Sequence, residues 1–71
     1  DYIKAENFLK IAIQLMPDDP IVHDHYGDIL WKLDRKIQAR YFWSMVLEMD
    51  DAEKELLDNI KTKLVYGLKN S

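Results

Sequence analysis

Shifted by 34 residues, the chain lies on itself. Ile3 falls on Ile37, Ala5 on Ala39, Phe8 on Phe42, Leu9 on Trp43, Ala12 on Val46, Ile13 on Leu47 and Leu15 on Met49. The rest of the period matches more loosely, with Val22 on Leu56, His23 on Leu57, Tyr26 on Ile60 and Leu30 on Leu64. A unit of this length cannot bury its apolar face alone, so its copies must stack to make a shared core.

Helices fill the period. Two glycines and two prolines punctuate 71 residues, and no alternating β-branched run is bounded by hairpin residues. Ala5, Phe8, Leu9, Ala12, Ile13 and Met16 set a helical spacing from about Tyr2 to Leu15, which Pro17 stops. Asp19 followed by Pro20 opens a second helix, because the carboxylate can accept from free N–H groups while proline at the first position needs no hydrogen bond. Val22, Tyr26, Ile29, Leu30 and Leu33 form its apolar side.

Asp34 and Arg35 make the next break. Ile37, Ala39, Phe42, Trp43, Val46 and Leu47 then lay out a third helix ending near Met49. Asp50 with Glu53 has the spacing of a capping box, opening a fourth helix with Leu56, Leu57, Ile60, Leu64 and Leu68. Connections of two to four residues predict antiparallel hairpins. So short a chain, without cysteine, has no disulfide or thiolate metal site to supplement its small core, and helix packing must supply the stability.

The small and large positions are informative. His23-x2-Tyr26-Gly27-x2-Leu30 is followed by Ala39-x3-Trp43, and the preceding half period carries Ala5-x3-Leu9, Ala12 and Pro17. Gly27 and Ala39 are small where two helices approach closely, while Tyr26, Leu30 and Trp43 fill the space beside that contact. This pattern resembles the tetratricopeptide repeat over nearly the whole chain. It departs from that family at His23, where a tryptophan is expected, at Val46 (alanine) and at Asp51 (proline).

The resemblance implies an all-α fold: four helices in antiparallel hairpins of a right-handed α/α solenoid. Residues 1–17 would be the second helix of a preceding repeat, 18–51 one full repeat and 52–71 a C-terminal capping helix. Lys61 stands where the close-contact glycine would be, and Glu53, Lys54, Asp58, Lys61 and Lys69 would face water. The helix at the other end has no partner for Tyr2, Ile3 and their neighbours, so an exposed apolar surface and self-association through this uncapped helix are expected. Lacking an initial methionine, the sequence reads as an excerpt of a longer chain.

In this family the first helix of each pair lines a concave peptide groove. The resemblance carries that role onto Ile21, Asp24, Asp28, Trp31 and Lys32, one continuous helical stripe. Trp31 is either the groove's aromatic anchor or a packing residue against the next helix near Met45 or Leu56. Asp24 and Asp28 make a basic or apolar segment the expected ligand.

Chemistry finds little footing. Within DDPIVHDHYGD, residues 18–28, His23 and His25 project about 200° apart on a helix and cannot chelate one ion. A metal site at His25 and Asp28 would need ligands from elsewhere, without cysteine or an HExxH spacing. The simpler reading makes Asp18 and Asp19 turn and cap, Asp24 and Asp28 carboxylates near a helix N-terminus, and His23 a core residue.

Ser44 and Ser71 are the only serines, and no phosphate-binding glycine loop exists, so an enzyme is not expected, nor any cofactor. The run Lys32, Arg35, Lys36 and Arg40 reads as a solvated turn, and a net charge of −3 speaks against nucleic acid and anionic membranes. Of Tyr41, Phe42 and Trp43, Tyr41 is expected nearest the surface. No apolar run approaches the roughly 18 residues that span a bilayer, no signal peptide opens the chain, and a cytoplasmic setting is favoured. The expected function is a non-catalytic protein-interaction scaffold. The alternative is a capping or self-association module without a groove of its own.

Overall fold

A computed structural model describes residues 1–68; Lys69, expected to face water, and Ser71 lie outside them. The described residues form four α-helices, α1 (Tyr2–Leu15), α2 (Pro20–Lys32), α3 (Lys36–Val46) and α4 (Lys54–Tyr66), with no strand among them. The helices pack in chain order, α1 on α2, α2 on α3 and α3 on α4. None of them is long and apolar enough to cross a membrane.

The first two helix starts follow from local chemistry. Asp1 Oδ1 accepts from the N–H groups of Ile3 (2.9 Å) and Lys4 (3.3 Å). Asp19 does the same for Ile21 (2.9 Å) and Val22 (3.3 Å), with Pro20 behind it. Each such cap contributes about 1 kcal/mol to its helix. The α2–α3 link turns at Asp34, whose φ of 63° is left-handed, a conformation aspartate tolerates better than most residues.

The third connection corrects the expected capping box. α3 ends at Val46 and α4 begins at Lys54, leaving seven residues between them. After Val46 the chain tightens, with Leu47, Glu48 and Met49 each donating to a carbonyl three residues back, and Ala52 bonding to Met49. Asp50 therefore lies inside this turn, not at a helix start. Glu53, extended at φ −72° and ψ 154°, occupies the cap position with no side-chain cap bond.

The core is centred between α2 and α3. Leu30, Ala39, Trp43, Val46 and Ile60 are almost fully buried, with Tyr26 and Trp31 beside them and Leu9, Ile13, Phe42, Leu56, Leu57 and Leu64 packed around. Gly27 lies directly under Trp43, and a Cβ placed there would come within 2.3 Å of the indole Nε1. Phe42 packs its ring 4.6 Å from Tyr26 and 6.0 Å from His23. His23 is itself buried, its Nδ1 3.0 Å from the Asp19 carbonyl, while Tyr41 is exposed.

The basic run is not a freely solvated turn. Arg35 pairs with Glu6, a carboxylate buried in α1 that also lies 3.7 Å from Lys10. Lys36 and Arg40 stand over the Trp31 ring at 4.9 and 5.0 Å, where the ring's negative face attracts them. The Arg35 pair fastens α1 to the start of α3.

Because overpacking a close helix contact costs about 1–3 kcal/mol or more, Gly27→Val should destabilise the protein by at least that much. Urea unfolding would measure it. A Gly27→Val protein as stable as wild type would show that the α2–α3 contact is not this close.

Candidate interaction surface

The residues assigned to a groove divide into two groups. Asp24 and Trp31 are buried, and Asp28 is half-buried. Ile21 and Lys32 are exposed. Helix α4 makes the difference: Lys63 Nζ donates to Asp24 Oδ1 at 2.7 Å and to Asp28 Oδ1 at 2.9 Å, with Asp28 Oδ2 at 3.2 Å. Trp43 Nε1 donates to the same Asp28 Oδ1 at 3.1 Å and to the Asp24 carbonyl at 3.3 Å. Asp28 thereby joins three helices.

Trp31 takes the packing alternative rather than that of an open anchor. Its ring stacks on Trp43 with centroids 5.5 Å apart, and it also lies against Gly67, at the end of α4. Gly67 has φ 70°, and a Cβ there would overlap the Trp31 ring. The chain's two glycines thus lie against its two tryptophans. The packing expected for Trp31 against the next helix is made with Trp43, and the contact with Gly67 is one that sequence reasoning missed. A glycine just past the last apolar residue of a helical stripe was the available signal.

Lys63 was also missed, because a lysine near the end of an amphipathic helix ordinarily reads as solvated. Burial pulls its ammonium pKa down, but the hydrogen bonds and charges of Asp24 and Asp28 outweigh that, and the net direction is upward from 10.5. Tyr26 is raised from 10.0 by burial and then by the Glu6 charge, with Arg35 opposing. Asp24, His25 and Asp28 bring ligand-type atoms within 4.8 Å of one another. Two of the three are the carboxylates that hold the Lys63 ammonium, so the local positive charge is already supplied by the chain.

One face stays open. Ala5, Phe8 and Leu9 of α1 and His25, Asp28, Ile29 and Lys32 of α2 line a cavity of about 340 Å³. Phe8 is 71% exposed there, and Ile11 and Leu15 continue its stripe along α1 at 58% and 75%. A second cavity of about 390 Å³, at Asp34, Arg35, Lys36, Ile37 and Gln38, lies beyond the start of α3. Compared with family models, with curated proteins and with solved structures, the chain gives no match.

Replacing Lys63 by Met leaves two carboxylates without their cation, and charged hydrogen bonds of this kind contribute on the order of 1.5–3 kcal/mol. The folded protein holds the Lys63 proton more tightly than the unfolded chain does, so this stabilisation is complete below the ordinary lysine value and fades as pH rises above about 10.5. The wild-type advantage over Lys63→Met in unfolding free energy should be constant from about pH 7 to 9 and shrink above about 10.5. Denaturant titrations across that range would test it, and an advantage independent of alkaline pH would contradict the pairing.

Proposed function

We propose that this chain is a non-catalytic protein-interaction module of the tetratricopeptide-repeat type, and that it takes its partner on the α1–α2 face. The observation carrying this reading is the exposed Phe8, Ile11 and Leu15 stripe beside the cavity walled by His25, Ile29 and Lys32. An apolar strip rimmed by polar groups is the usual character of an association surface. The 34-residue self-match and the small residues Gly27 and Ala39 support the repeat.

The resemblance drew the ligand to Asp24, Asp28 and Trp31 on α2. With α4 seated over them, a basic segment loses its access, since Lys63 already binds both carboxylates and offsets one of their two charges. An apolar or amphipathic segment suits the open face better. Self-association, the second reading, draws on the same α1 stripe and would make a second copy the occupant.

The two faces respond differently to substitution. Selection from a displayed random-peptide library against the folded chain should yield binders that Phe8→Asp weakens by about 30-fold or more, the cost of removing a binding hot spot. Trp31→Ala should act on stability first, by about 3–5 kcal/mol, as loss of a buried tryptophan does. Binders insensitive to Phe8→Asp would remove the α1–α2 face from consideration. For self-association, light scattering from micromolar to millimolar protein should show mass rising with concentration, and a monomer throughout would end that reading.

A further inference from the structure

The three connections of this chain are secured unequally. Pro17 and Pro20 bound the first, and Asp34, left-handed at φ 63°, turns the second. The third, residues 47–53, holds neither glycine nor proline and no residue with positive φ. Its residues run Leu-Glu-Met-Asp-Asp-Ala-Glu, in which Leu, Glu, Met and Ala are strong helix formers. Asp51 stands where the repeat pattern has its closing proline.

Much of this connection is already helical. Leu47 has φ −63° and ψ −22°, and Leu47, Glu48 and Met49 carry the spiral on past Val46, each donating over 3.1 Å to a carbonyl three residues back. Passing from bonds three residues back to bonds four residues back is a small change of backbone angle. The chain leaves the spiral at Glu53, whose ψ is 154°, and α4 then starts with no side-chain cap from that residue. Helical angles at Asp50 to Glu53 would join α3 and α4 into one helix over residues 36–66, about 45 Å long at roughly 1.5 Å per residue. The backbone groups left unpaired at the two helix ends would then bond to each other. Asp50 would also come to lie one turn before Lys54, the favourable order for such a pair.

A straight 36–66 helix carries α4 off its own α2. We infer that α4 then seats on α2 and α3 of a second copy, so that two chains exchange their fourth helices and form a dimer. The seat is specific for the end of this helix. Lys63 meets Asp24 and Asp28, and Gly67 lets the chain pass the Trp31 ring. Arg40 Nε donates to the Leu64 carbonyl at 3.4 Å, at the negative end of the helix. A second copy supplies all three features by identity, and each α4 that leaves its seat frees the one the other copy needs. Arg40, in the second turn of α3, faces Leu64, in the last turn of α4, so these helices run antiparallel, and the two long helices of the dimer do the same. The exchange makes no use of the α1–α2 face and is separate from association through Phe8.

The test is light scattering of the 71-residue chain after long incubation from micromolar to millimolar concentration, with circular dichroism of the separated dimer. Exchange predicts more helix per residue in the dimer than in the monomer, because residues 47–53 join it. Glu53→Pro should weaken dimerisation at least a hundredfold, as proline within a helix does. The monomer should keep its stability, because Glu53 has φ −72° and its N–H donates no hydrogen bond among the described residues. Asp50→Ala combined with Asp51→Ala should strengthen dimerisation at least tenfold, an effect of opposite sign that does not rest on the proline variant folding. Phe8→Asp should leave the exchanged dimer in place.

A chain monomeric throughout, with the alanine pair as without it, would overturn the exchange. So would a dimer of unchanged helix content that survives Glu53→Pro. A dimer lost with Phe8→Asp and kept with Glu53→Pro would also overturn it, and would assign self-association to the α1 stripe.

Discussion

Everything else in this structure is arranged around the seating of Trp43 on Gly27. A buried indole contributes several kcal/mol of apolar burial, but its N–H must find an acceptor. Close approach of α2 answers both needs. Gly27 leaves room for the ring, and the Asp24 carbonyl about one turn before it and the carboxylate of the adjacent Asp28 receive the N–H. The constraint fixes how α3 lies on α2, and with it which α2 residues remain for α4.

Those residues are Asp24, Asp28 and Trp31. Two carboxylates so close together beside an apolar core call for a cation, and Lys63 meets that need from α4. Gly67 then brings the end of α4 against the Trp31 ring. Polar pairing and apolar stacking act together: Lys63 sets the position of α4 along α2, and Trp31 supplies area. The consequence for function is a displacement of the open surface to the other side of α2, where Phe8 and Ile29 meet.

Much of the helical layout was legible because its signals are local. Tyr2–Leu15 and the Asp19 and Pro20 start of α2 follow from periodicity and capping. The third turn was not legible, since Asp50 and Glu53 imitate a capping box while Met49 to Ala52 close a turn of their own. Charged residues misled for a related reason. Glu6, Arg35 and Lys63 look solvated in a one-dimensional pattern, and each finds its opposite charge on another helix, 29 or more residues away. Register along one helix shows which residues share a face. It does not show which face the next helix covers.

The central claim is that α4 covers Trp31, closing the aspartate-lined side of α2. Acrylamide quenching of tryptophan fluorescence tests it directly, because the chain has two tryptophans, and they are 7% and 0% exposed. The account predicts blue-shifted emission and weak quenching of the entire signal in the native protein, and strong quenching of part of it in a chain ending at residue 51. A native protein in which part of the emission quenches as freely as a solvated indole would contradict it.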